Sequence, residues 1–103
     1  MADDVLYKTP SEKVVYDYDF SPKLPTNDSS ITLAVSAIDE EGTSSSAVVG
    51  TSSTSGTTGT VPLQAGSDGK DYTVTMRATG ATSGAIRDWV IEMRVRTKVG
   101  GVV

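Results

Sequence analysis

Apolar and polar residues alternate with a period of two along much of the chain and nowhere with the period of a helix. The longest run occupies residues 71–99. Tyr72, Val74, Met76 and Ala78 fall on one face of a first strand, with Thr73, Thr75, Arg77 and Thr79 on the other. Trp89, Ile91, Met93 and Val95 then alternate with Val90, Glu92, Arg94 and Arg96. Side chains of a strand change face at every residue, so this pattern predicts two strands, each with a buried and a wet face. The connector Gly80-Ala81-Thr82-Ser83-Gly84 supplies glycines for a turn and makes the pair an antiparallel hairpin.

The same rule predicts a strand at 14–20, with Val14, Tyr16, Tyr18 and Phe20 opposite Val15, Asp17 and Asp19. Another is expected at 30–38, where Ile31, Leu33, Val35 and Ala37 share a face. Between them two prolines and Asn27-Asp28 predict a corner between sheets. Gly42 closes a turn after the acidic run Asp39–Glu41. Residues 43–60 hold 12 Ser or Thr among 18 positions. They read as one or two short edge strands, one at Ala47-Val48-Val49, with turns around Gly50, Gly56 and Gly59. Residues 61–65 form a short strand that Pro62 places at an edge or at a strand start. Residues 1–13, with the turn signal Thr9-Pro10-Ser11-Glu12, read as an N-terminal arm, either mobile or with Val5, Leu6 and Tyr7 docked on a neighbour in an assembly. Residues 100–103 read as a C-terminal tail ending in Val102 and Val103. About seven short strands without a helical segment predict an all-β fold, a single β-sandwich over residues 14–99.

One turn narrows the fold further. Asp68-Gly69-Lys70-Asp71-Tyr72-Thr73-Val74 resembles the D-x-A/G-x-Y-x-C pattern of immunoglobulin-like domains, with Val74 in the cysteine position. In such a corner the tyrosine hydroxyl bonds back to backbone a few residues upstream, so Asp68, Gly69 and Tyr72 are the expected structural corner. Tyr72→Phe should then cost about 1–2 kcal/mol, and an unchanged melting temperature would argue against the corner.

Composition removes several functions. The chain has no Cys and no His, which excludes thiolate chemistry, disulfides and the usual general base near neutral pH. The carboxylate pairs Asp17/Asp19 and Asp68/Asp71 lack a positioned nucleophile or further oxygen ligands at a defined spacing, so no catalytic, metal or cofactor site is expected. Leu, Ile, Val and Phe total 22 residues, 13 of them Val, which predicts a thin core completed by neighbouring subunits. The acidic start Met1-Ala2-Asp3-Asp4 is not a signal peptide, and no stretch approaches the ~20 apolar residues of a membrane helix. Net charge is −4 at pH 7. Residues 1–41 carry nine acidic and three basic residues, against four and six in residues 42–103. This clustering reads either as an ordinary solvated surface or as an acidic patch on one copy that meets a basic patch on the next. Nucleic acid is disfavoured as a partner, because only five basic residues lie in the hairpin and no aromatic residues interleave with them on the wet face.

Lys8-x-Pro10-x-Glu12 leading into Tyr16-Asp17-Tyr18-Asp19-Phe20-Ser21 and Leu24 resembles small phage and prophage structural proteins. So does Gly66-x-Asp68-Gly69-x-x-Tyr72-Thr73-Val74, followed by Thr79, Gly84 and a closing strand. The resemblance implies an immunoglobulin-like sandwich found among head, neck and tail proteins, with no catalytic residues to carry over. It implies a non-enzymatic virion structural protein made in the host cytoplasm, with a neck, tail or fibre-tail adaptor preferred over a capsid decoration. The implied partners are copies of the chain itself, in a homo-oligomer, and other virion proteins of the neck, tail, fibre or capsid; no membrane is implied. The expected contact residues are Val5, Leu6 and Tyr7, the wet-face Arg94, Arg96 and Lys98, and Val102 and Val103. A carbohydrate- or cell-surface-binding module is the other alternative, disfavoured because the sole tryptophan, Trp89, alternates with core residues.

Overall fold

The computed structural model describes residues 3–24 and 28–96. Seven strands alternate in sequence with turns and two short 3-10 segments: β1 Asp4–Lys8, β2 Val14–Asp19, β3 Ile31–Asp39, β4 Ser53–Ser55, β5 Thr58–Leu63, β6 Asp71–Gly80 and β7 Ile86–Val95. They form a four-stranded sheet in the order β1-β7-β6-β3 and a three-stranded sheet in the order β2-β5-β4. β3, β6 and β7 take the places of the C, F and G strands of an immunoglobulin-like sandwich, and β2, β5 and β4 those of B, E and D. All pairings between these strands are antiparallel except β1 with β7, which is parallel.

The period-two pattern locates the core. Val61 and Leu63 of β5, Val74 and Met76 of β6, and Ile91 and Met93 of β7 are fully buried between the sheets. Each such side chain is worth about 1.5–3 kcal/mol relative to exposure, which fixes the β6–β7 register because a one-residue slip would turn every apolar side chain into solvent. Tyr72 stands opposite Met93 and Val74 opposite Ile91. At the corner before β6 the Tyr72 hydroxyl accepts a hydrogen bond from the Ser67 N–H at 2.9 Å. The Gly69 N–H donates to the Val95 carbonyl at 2.8 Å, with Gly69 at φ +84°. The tyrosine corner is therefore present.

Several expectations are corrected. Residues 4–8 are not an arm but β1, the edge strand of the chain's own four-stranded sheet, with Leu6 beside Met93 and Lys8 beside Val95. Ala47-Val48-Val49 is not a strand. Ser46–Val48 is a 3-10 turn that buries Val48. Gly59 is not in a turn but in β5, where a Cβ would lie only 3.0 Å from Leu33 Cδ2, so a larger residue would require the Leu33 side chain to shift. Pro62 lies inside β5, the middle strand of its sheet. Its carbonyl accepts from the Gly50 N–H at 2.8 Å, so its nitrogen turns to the side where β4, ending opposite Thr60, has already stopped. The tail at 100–103 lies outside the described residues.

Candidate assembly surfaces

Parallel pairing of β1 with β7 sorts the residues of the first strand. Asp4, Leu6 and Lys8 turn towards the second sheet, whereas Val5 and Tyr7 lie on the outer face, beside Glu92 and Arg94. Arg94 gathers that corner. Its Nε pairs with Glu92 at 2.8 Å, its Nη1 donates to the Tyr7 hydroxyl at 3.0 Å, and its guanidinium sits 5.7 Å from the Tyr7 ring centre. The Glu92 carboxylate, and then the Tyr7 hydroxyl, raise the Arg94 pKa above its ordinary value. Val5 and Tyr7 remain nearly half exposed. Of the residues expected at an interface, the fold thus joins Val5, Tyr7 and Arg94 into one patch. Leu6 does not belong to it, because it faces inward and packs against the core. Arg96 lies one step further along, paired with Asp71 at 2.9 Å. Lys98, Val102 and Val103 lie outside the described residues.

Ion pairing within the chain also changes the charge argument. Arg77 binds Asp88 through two bonds of 2.8 and 3.0 Å, and Arg94 and Arg96 hold Glu92 and Asp71. Three arginines of the expected basic surface are thus paired with carboxylates of the same half of the chain, so its excess of six basic over four acidic residues rests on residues outside these pairs. The carboxylates singled out on β2 divide their roles. Asp19 accepts from the Ser21 N–H at 2.9 Å and from Thr57 Oγ1 at 2.8 Å, and these bonds hold its pKa below the usual carboxylate range. It fixes the turn after β2. Among the described residues no three metal-ligating side chains converge.

Sequence reasoning missed a cluster that spans both sheets. The Tyr18 ring stacks on Trp89 at a 3.9 Å centroid distance and meets Phe20 edge-on at 4.8 Å. Trp89 Nε1 donates to the Tyr16 hydroxyl at 2.8 Å, and that hydroxyl donates to Asp4 Oδ2 at 2.6 Å. Burial, and then the Asp4 hydrogen bond, push the Tyr16 pKa up to about 12. Lys23 lies 5.2 Å from the centre of the Trp89 ring. The alternation placed Tyr16, Tyr18 and Trp89 on inward faces; only the facing of β2 with β7 shows that they touch. The cluster ties β1, β2 and β7 together, and it engages both the ring face and the N–H of the tryptophan. On the far side of the outer face, Ala34, Val35, Ser36, Thr75 and Arg77 line a shallow hollow of about 260 Å³.

A family model described as "Podophage GP4 fiber-tail adaptor protein gp77" matches residues 8–94, which covers β2 through β6 and most of β7. No curated protein matches the chain.

Proposed function

The chain belongs to the podophage GP4 fiber-tail adaptor protein gp77 family, and from that premise we propose that it joins a fibre to the phage tail without catalysing a reaction. The family match carries the reading, because it takes in both sheets of the sandwich rather than one turn. The outer patch of Val5, Tyr7 and Arg94, with Arg96 beside it, supplies the contact with a larger virion component: an aromatic ring, an arginine and an exposed aliphatic side chain at a sheet edge. The carbohydrate reading loses its best residue, since Trp89 is already stacked on Tyr18 and bonded to Tyr16.

The test is to assemble phage particles with the gene interrupted by an early stop and to image them. An adaptor predicts particles that keep head and tail but carry no fibres, and supplying the protein in trans restores them. Particles with fibres in place and altered capsids would instead favour a decoration protein. Tyr7→Ala combined with Arg94→Ala should reproduce the fibreless particles while leaving the purified protein folded.

A further inference from the structure

The sandwich exposes four strand edges, and three of them carry recognised obstacles to further pairing. β4 is only three residues long. β2 presents Asp17 and Asp19. β1 is five residues long and begins at Asp3 and Asp4, whose carboxylates bond the Val90 N–H and receive the Tyr16 hydroxyl. Short edges and charged edges resist the addition of a strand.

β3 has no such defence. Among the described strands it pairs only with β6, and the stretch from Ser29 to Ile38 contains neither a charge nor a proline. Its far end is covered from within, because the Ser45 N–H donates to the Ala37 carbonyl at 2.9 Å and the Asp39 N–H to the Thr43 carbonyl at 2.9 Å. These bonds show that the odd-numbered residues of β3 turn their backbone groups away from β6. Ile31, Leu33 and Val35 therefore present N–H and C=O groups along an open edge, with no partner strand among the described residues.

We infer that this edge pairs with the same edge of a second copy, antiparallel, about a two-fold axis beside Leu33. The segment is self-complementary in the way an isologous contact demands. Leu33 would exchange both backbone bonds with its own counterpart, and Ile31 with Val35. Ile31, Leu33 and Val35 continue the inner apolar row across the joint. On the outer face, Thr32 meets Ala34, so no like charges are brought together. The two sheets become one eight-stranded sheet. The Tyr7–Arg94 patch, at the opposite edge of each sheet, is left free, so pairing does not depend on fibre attachment.

The experiment is light scattering on the purified full chain across a dilution series, with Thr32→Lys, Thr32→Glu and Ile38→Lys. Thr32 and Ile38 are exposed on the outer face, and Ile38 lies in the part of β3 already covered by residues 43–45. The wild type should be dimeric, and Thr32→Lys, which sets two like charges near the axis, should raise the dimer dissociation constant at least about tenfold. An equimolar mixture of Thr32→Lys and Thr32→Glu should recover the dimer as a mixed pair, whereas Ile38→Lys should leave it intact. A wild-type monomer at every concentration would overturn the inference. So would a dimer indifferent to Thr32→Lys, or one lost equally in Ile38→Lys. Circular dichroism melts of each variant separate loss of pairing from loss of folding.

Discussion

Two charged side chains are buried among the described residues, and they grip opposite ends of the same hairpin. Lys8 lies at the base, where its ammonium donates to the Thr9 and Ala65 carbonyls at 2.6 Å each. Asp28 lies at the tip, where its carboxylate accepts from the Thr82 and Ser83 N–H groups at 2.9 Å and from the Ser83 hydroxyl. One is a cation satisfying a carbonyl just after β1 and another in the loop before β6, the other an anion satisfying amides in the loop after β6. Their surroundings favour the two charges unequally. The Ser83 hydroxyl, then the backbone amides, hold the Asp28 carboxyl below the usual carboxylate range. At Lys8 burial is the larger influence and lowers the pKa, with the Glu12 carboxylate opposing it. A buried charge ringed by donors of the right sign is held as an ion, whereas a lysine with two acceptors for three N–H groups is held against its own desolvation.

Each clamp also abuts a glycine, which offers the sharpest way to break them. A Cβ on Gly66, at φ +95°, would lie 2.7 Å from Val95 Cγ2 and 3.3 Å from the Tyr72 ring. Strain and overlap act together there, so Gly66→Ala should cost about 2–4 kcal/mol in denaturant melts. A Cβ on Gly80 would overlap the Asp28 carboxylate but meets no backbone strain of that kind. Gly80→Ala should therefore lower the melting midpoint by less than Gly66→Ala.

Lys8→Met keeps the volume of the stem and strips the donors from two carbonyls, so it should cost about 1–3 kcal/mol by chemical denaturation. An unchanged stability would mean that relief of the buried charge fully offsets the lost bonds. The smallest effect at neutral pH belongs to Asp28→Asn, and its signature is in the pH dependence. The Asp28 carboxyl has a lower pKa folded than unfolded, so its contribution is complete above the ordinary value of about 3.9 and is lost as pH falls through the folded pKa. Asp28→Asn should flatten that acid limb. Lys8 gives the same sign in an alkaline window. Its folded pKa is also depressed, so the unfolded chain holds more protons and stability rises between the folded value and about 10.4. Lys8→Met should abolish that rise.

Lys8 also explains what was hard to see in the sequence. The inward face of β1 reads Asp4, Leu6, Lys8, two charges about one apolar residue, so the alternation that revealed β2, β3, β6 and β7 pointed here to a solvated arm. The partners that make an inward Asp4 and Lys8 acceptable, Tyr16 and the Ala65 carbonyl, are remote in sequence and invisible to periodicity. The Ser/Thr-rich middle failed for a related reason. Gly59 reads as a turn residue, but its role is to let β5 approach Leu33, whereas Gly56, at φ +59° between β4 and β5, is a turn glycine as expected. The tyrosine corner was legible because its parts are local. The residues of the proposed contact patch, Val5, Tyr7 and Arg94, were each named from the sequence, but their meeting rests on a parallel pairing of the first strand with the last that no local rule supplies.

That pairing decides how the domain carries a pull. The chain enters β1 at Asp4, opposite Ile91, and leaves β7 at Val95, beside Lys8. Tension drawn between those two points drags β1 and β7 along their axes in opposite directions. The ladder joining them, from Asp3 with Val90 to Arg96 with Lys8, is then loaded in shear, all rungs at once. An antiparallel pair of terminal strands pulled from one end would open like a zipper, one rung after another.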